Sequence, residues 1–398
     1  MNFVLAYKRN PWIGYVLVGL VFVLFMLAEM WNGRFWLSDF EVYYKAAARI
    51  LQGQNLYRIQ ADDFYLFKYS PVSAVFFIPF AVLPFAIAKI VYWLFYSFIM
   101  LACIHLALRL VSRFRPIEKP SRVNNLVILT GLILMVHFLR ELHLGQVTFI
   151  LLILYLLALR YLMDGKPGMA GFLIAVSLFI KPFALIFLPW LVYKGKWKEL
   201  AYTFLYLAIL GIVPLLFYRS YSITINQYAA WFHEVVVELG NKQEFSLPAN
   251  QTIFSVIARY AFLGGLLNTP MLFMAFQSFV LIILAGLMIF LMQKGKRISF
   301  REIPEWSFLM GLIPLLAFSG ENSFCLFLPA IVLILFMYPD LPLPVKIMAI
   351  AGFLLLGGNM HDLWGDDLSS WIDKVSLISF GAISLCSVLA WLRVREFL

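Results

Sequence analysis

Unbroken apolar stretches, close to the ~20 residues that carry a helix across a ~30 Å hydrocarbon core, recur along this chain from end to end. Residues 13–30, 86–110 and 271–292 are the clearest. A chain built this way must satisfy every backbone N–H and C=O inside lipid, which leaves helices or a closed barrel. The stretches are continuous and not alternating, so they read as helices. Composition removes the soluble alternative. Apolar or aromatic residues make up 63%, charged residues 13%, and mean hydropathy is +0.89, whereas about a quarter of a soluble domain is charged. The expected fold is an all-α polytopic membrane protein with residues 1–398 in a single transmembrane domain. The first stretch follows Lys8 and Arg9 as a signal peptide would, but it lacks a small-residue cleavage pattern and reads as a retained helix. Cys103, Cys325 and Cys386 lie in apolar stretches without CxxC or Cys/His spacing and read as small core residues.

The net charge of +10 comes in short clusters between apolar stretches. That pattern fits cytoplasmic loops better than a nucleic-acid surface. With Lys8/Arg9, residues 109–122, Lys194/Lys196/Lys198, residues 294–301 and Arg393/Arg395 inside, one path of about 12 transmembrane helices results, with both termini inside. Residues 72–83, punctuated by Pro71, Pro79 and Pro84, and residues 253–267, carrying Arg259, do not fit as full spans. Both read as interfacial or partly inserted helices. The outer face then holds residues 32–85, 220–270 and 358–375, with turns at 140–146, at Lys181/Pro182 and at Glu321/Asn322. No internal repeat is apparent, which counts against an inverted-repeat transporter.

Most of the acidic residues fall outside on this path, among them Asp39, Asp62, Asp63, Glu141, Glu321 and Asp366. Asp39 is the most informative, because it follows the first span directly and opens an amphipathic stretch at 40–51. Taken alone it reads first as an N-cap, as Ser38 could also be.

The run from Asp39 to Tyr57, then Phe67-Lys-Tyr-Ser-Pro71 and 77–84, resembles the first outer loop of the GT-C-fold membrane glycosyltransferases. It is most similar to the polyprenyl-phosphomannose-dependent α-mannosyltransferases that include phosphatidylinositol mannoside-extending enzymes. Gly145-Gln-Val, Ile180-Lys-Pro-Phe-Ala-Leu and Asn250-Gln-Thr-Ile-Phe-Ser with Arg259 follow in that family's order, and the likeness covers roughly residues 12–335. One departure stands late in the chain. Where many relatives carry a tryptophan and histidines, this sequence reads Phe318-Ser-Gly-Glu-Asn-Ser-Phe324.

The resemblance implies a GT-C-like bundle with Asp39 as the catalytic carboxylate, matched by position. A carboxylate there would take the proton of an attacking hydroxyl as the donor's C1–O bond breaks, inverting the anomeric carbon. The lipid-phosphate leaving group needs cations or N–H donors, and Lys181, Arg259, Arg140 and Lys68 are the outward candidates. Each has a structural alternative. Lys181 could anchor at the interface, Arg259 could meet lipid headgroups, and Arg140 could pair within its turn with Glu141 and His143. Tyr43, Tyr44 and Tyr69 are candidate sugar platforms, and Gln146, Asn250, Gln251, Glu321 and Asn322 candidate hydroxyl partners. The same polar groups would also serve broken helices.

The expected activity is transfer of a sugar, mannose by default, from a polyprenyl-phosphate donor to a lipid-linked or cell-surface glycan. The expected setting is the non-cytoplasmic face of the plasma (inner) membrane, with membrane lipids as the surroundings. Arabinose or an aminosugar is the alternative within the fold. A polytopic transporter or polysaccharide-assembly subunit is the alternative from another class. No glycine-rich phosphate loop or metal-ligand cluster is visible, so neither cofactor nor metal is assigned, and no nucleic-acid partner.

Overall fold

The computed structural model describes residues 3–62, 65–240, 247–261, 269–294, 300–317 and 320–395. Asp63, residues 262–267 of the second interfacial piece, Phe318, Ser319 and residues 295–299 of the fourth basic cluster lie outside the described residues. Every regular element among the described residues is a helix. Six are long and apolar enough to cross a membrane: Ile13–Trp31, Phe85–Val111, Trp197–Tyr218, Met271–Gln293, Glu321–Asp340 and Leu377–Val394. A seventh arises if Pro120–Ile133 and Met135–Leu144, bent by 64° at Leu134, count as one span. The remaining expected spans are helices too, but short. Thr148–Met163, Pro167–Ile180, Pro182–Tyr193 and Leu343–Gly357 have 10–17 residues each, and Glu302–Leu316 has 15, below the ~20 that a straight crossing needs.

The chain divides into two compact units, each discontinuous in sequence: residues 1–18, 104–138 and 242–398 form one, residues 19–103 and 139–241 the other. In the first, Leu343–Gly357 packs along Leu377–Val394 through glycines. A Cβ on Gly381 would stand 2.6 Å from the Leu356 nitrogen, and one on Gly352 would stand 2.6 Å from Leu385 Cδ2. This close backbone approach is the route by which helices associate in lipid, where no hydrophobic drive exists between them. Leu328–Met337 is buried along nearly its whole length.

In the second unit, Pro167–Ile180 is the central helix and packs against both Thr148–Met163 and Trp197–Gly211. The first outer loop folds onto it. Ser38–Leu51 packs on two short helices, Pro71–Phe76 and Ile78–Ala81, so the piece expected at 72–83 is broken at Phe77. Residues 54–58 are tied down by the helices that follow Trp197–Gly211. Gln227 accepts from the Leu56 N–H at 3.1 Å and donates to Asn55, Arg58 meets Glu234 at 2.5 Å, and the Tyr218 hydroxyl donates to the Gln54 carbonyl at 3.2 Å. The second long segment, 220–270, is shared between units, since Tyr221–Gly240 belongs to this one and Ile253–Tyr260 to the other.

Candidate active site

Four separate stretches of the second unit bring polar side chains to one place. The first is the start of Ser38–Leu51. Its N-cap is Leu37, held at φ 50°, and no side chain caps it. Neither Ser38 nor Asp39 is therefore the cap; Asp39 sits in the first helical turn, where the helix N-terminus favours negative charge. Its carboxylate instead accepts a hydrogen bond from the Gln146 amide.

Gln146 comes from the break between Met135–Leu144 and Thr148–Met163. Gly145 makes that break possible. It lies at φ +71°, and a Cβ there would stand 2.8 Å from Phe40 Cβ and 3.0 Å from Leu37 Cβ. Glycine lets the backbone turn left-handed and lie against the start of Ser38–Leu51, which is what delivers Gln146 to Asp39. The Tyr92 hydroxyl donates to the Gln146 carbonyl, and the Tyr92 ring stacks on Phe40 with centroids 4.2 Å apart. One turn along the same helix, the Tyr96 hydroxyl donates to the fully buried Glu141. Glu141 also accepts from the Thr148 hydroxyl at 2.9 Å and from the Thr148 N–H at 3.2 Å, holding both ends of the break. His143 meets Glu29 at 2.5 Å, and Arg140 is exposed.

The third stretch is Lys68-Tyr-Ser70. Ser70 caps Pro71–Phe76 by accepting from the Ser73 N–H, and its hydroxyl donates to the Phe179 carbonyl at 2.7 Å. One serine thus pins the Tyr69 loop to the end of Pro167–Ile180, next to the fourth stretch. There Pro182 forces its predecessor out of the helical region, so Lys181 is extended, at φ −142° and ψ 139°. Its ammonium lies 5.8 Å from the Tyr69 ring centroid and 5.6 Å from that of Phe183, within cation–π range. The Tyr69 hydroxyl is 2.9 Å from that of Tyr43.

Burial raises the Asp39 carboxyl above its ordinary value, while the Lys181 charge, the Gln146 hydrogen bond and the Lys68 charge pull the other way. The arrangement can hold a proton at a carboxylate with a cation close enough to act on it. The Gln146 side-chain oxygen, Oε1, is buried without a hydrogen-bond partner, a position native structures rarely leave unfilled. Tyr44 faces elsewhere, its hydroxyl donating to the Leu83 carbonyl at 2.8 Å.

The other candidates belong to the first unit. Arg259 spreads its guanidinium over the carbonyls of Leu247, Asn250, Asp373 and Lys374 and the Ser376 hydroxyl. Asn250 is fully buried and accepts from the Thr252 N–H at 3.0 Å, and Gln251 donates to the Pro248 and Asp373 carbonyls. Glu321 and Asn322 are buried in the short 3-10 helix Glu321–Phe327. Among the described residues no group of three or more His, Cys, Asp or Glu could hold a metal ion.

Sequence reading missed the props of this site: Tyr92, Tyr96 and Ser70. Two tyrosines four residues apart in a largely apolar span were the available signal, because a hydroxyl in lipid needs a partner.

The sequence model of glycosyltransferase family 87 matches residues 67–317, more than half of the chain. The chain belongs to this family. Family 87 membership makes it a membrane glycosyltransferase. The match takes in Lys68, Tyr69, Arg140, Gln146, Lys181, Asn250, Gln251 and Arg259, while Asp39, Tyr43 and Tyr44 precede it and Glu321 and Asn322 follow it. No curated protein and no solved structure matches the chain.

Proposed function

We propose that this family 87 glycosyltransferase moves a sugar, mannose by default, from a polyprenyl phosphate to a lipid-linked or cell-surface glycan on the non-cytoplasmic side, with inversion. The observation that carries the reading is the convergence of Asp39, Gln146 and Lys181 beside Tyr69 in one unit. In the proposed step the acceptor hydroxyl oxygen bonds to C1 of the sugar, the C1–O bond to phosphate breaks, and the hydroxyl proton passes to Asp39. The polyprenyl phosphate leaves with the additional negative charge, and Lys181 stabilises it. Lys181 suits this role better than Arg259, whose N–H groups already meet five acceptors. Lys68 and Arg140 are exposed and could assist from the rim. The unpartnered Gln146 oxygen is the natural acceptor for a sugar hydroxyl.

An outward site also explains the donor class, because nucleotide sugars are kept in the cytoplasm and a lipid carrier is not. Purified enzyme assayed in parallel with radiolabelled polyprenyl-phosphate sugars and with nucleotide sugars tests this. Transfer should need the lipid-linked donor, and Lys181→Ala should weaken its use by roughly ten- to a hundred-fold. Direct use of a nucleotide sugar, unaffected by Lys181→Ala, would overturn the proposal.

A further inference from the structure

A cavity away from the Asp39 site lies in the first unit, at the membrane-boundary ends of two spans. It has a volume of about 470 Å³ and is lined by Trp12, Tyr15, His105, Arg109, Ser112 and Glu118, among others. Trp12 and Tyr15 stand at the start of Ile13–Trp31, and His105 and Arg109 in the last turns of Phe85–Val111. The cavity therefore sits where hydrocarbon gives way to water. Its size falls in the range of ordinary ligand sites.

The walls are fixed before any ligand arrives. Asn124, fully buried, accepts from the Gly14 N–H at 2.9 Å and donates to the Tyr7 and Asn10 carbonyls at 2.9 and 2.8 Å, clamping the segment that presents Trp12. Trp12 stacks on His105 at 5.6 Å and 15°, and the Tyr15 hydroxyl is 3.2 Å from His105 Nδ1. Arg109, an exposed residue, reaches the far edge of this stack, with Nε 3.5 Å from His105 Nε2.

A second opening shares Pro116 and Glu118 with the first and adds Arg115, Lys119, Arg122 and Asp340. Arg115 is paired with Asp340 at 2.5 Å, and Arg122 donates to the Phe336 carbonyl. Four cations against two carboxylates leave the mouth positive even with Glu118 in it. Next to the cavity the first span turns Trp12 and Val16, 55% and 66% exposed, outward on one helical face. A ligand with an anionic head and a hydrocarbon tail fits this combination, since the guanidinium would meet the head while the tail lies along that face.

We infer that this cavity binds the phosphodiester headgroup of an anionic bilayer phospholipid, separately from the sugar-transfer site. Free phosphate offers the same charge without a tail. Native mass spectrometry of the full-length protein in detergent separates the two, using phosphatidylglycerol, phosphatidylcholine with the same acyl chains, and inorganic phosphate as probes. Phosphatidylglycerol should be retained over phosphatidylcholine and should resist displacement by inorganic phosphate. Arg109→Gln should lower its occupancy roughly ten-fold, and Arg109→Lys should keep most of it. Equal retention of the two lipids, unchanged retention in Arg109→Gln, or displacement by inorganic phosphate would overturn the inference. Were Arg109→Gln not to accumulate, the wild-type lipid ratio and the Arg109→Lys result would still decide it.

Discussion

The Asp39 carboxylate is held where burial makes a charge costly, and Lys181, the Gln146 amide and Lys68 offset part of that cost. Its folded-state value lies above that of the unfolded chain. Its contribution to stability is therefore fully present below the ordinary carboxylate range and lost as pH rises through the raised value. At neutral pH, Asp39→Asn should accordingly leave the melting temperature equal or higher, while transfer falls by roughly 10² to 10⁴-fold. Thermal scans and transfer assays on one preparation check both. A base must be ionised to act, so activity should decline on acidification through a value above the ~3.9 of a free aspartate. Lys181→Gln removes the largest influence holding that value down and should move the acid limb to higher pH; a limb that stays put would falsify the coupling. Gln146 and Lys181 stood out in the sequence as polar residues at the ends of apolar runs, whereas Asp39 stood out only once the family resemblance was added to its place after the first span. Their neighbours could not be sorted. Sequence shows that Arg259 and Gln251 are polar, but not that backbone carbonyls already occupy them.

At the level of elements, Gly145 carries the argument. Gly145→Ala should cost about 1–2 kcal/mol for the left-handed backbone alone, and more because its Cβ would stand 2.8 Å from that of Phe40. Gly53→Ala is the control, being at φ +66° with nothing within 4 Å. The two variants compared by thermal scan should differ, and only Gly145→Ala should also lose transfer. A buried ion pair makes a second case. Arg393 and Glu305, each 3% exposed at the side chain, meet at 2.9 Å, and Arg393 donates to the Lys294 carbonyl at 2.6 Å. Glu305→Ala should destabilise by about 3–5 kcal/mol, since it strands a buried charge; denaturation in detergent would show it. Charge counting placed Arg393 among the loop cations, a reading that sees sign and position but not burial. Helix positions were legible because apolar length is written in the sequence. The breaks at Gly145 and at Lys181/Pro182 were legible as well, but the 64° bend at Leu134 was not, since it has no proline or glycine at that position to announce it.

For the molecule as a whole, the alternation of basic clusters predicts sidedness. Engineered cysteines at residues 194–198 should react only from the cytoplasmic side, and those near Asp39, Asn250 and Asp366 only from the other. Labelling of 194–198 from outside would reverse the map. The two-unit division was invisible in the sequence, because it depends on which distant segments meet: the chain leaves the second unit at Cys103 and re-enters at Leu139. That discontinuity sets a clock on biosynthesis. Asp39 emerges from the ribosome early, yet the amide that bonds it and the cation that acts on it arrive more than a hundred residues later, after a full excursion into the other unit. A nascent chain stopped before Gln146 would have its carboxylate and neither partner, and one stopped before Lys181 would still lack the cation.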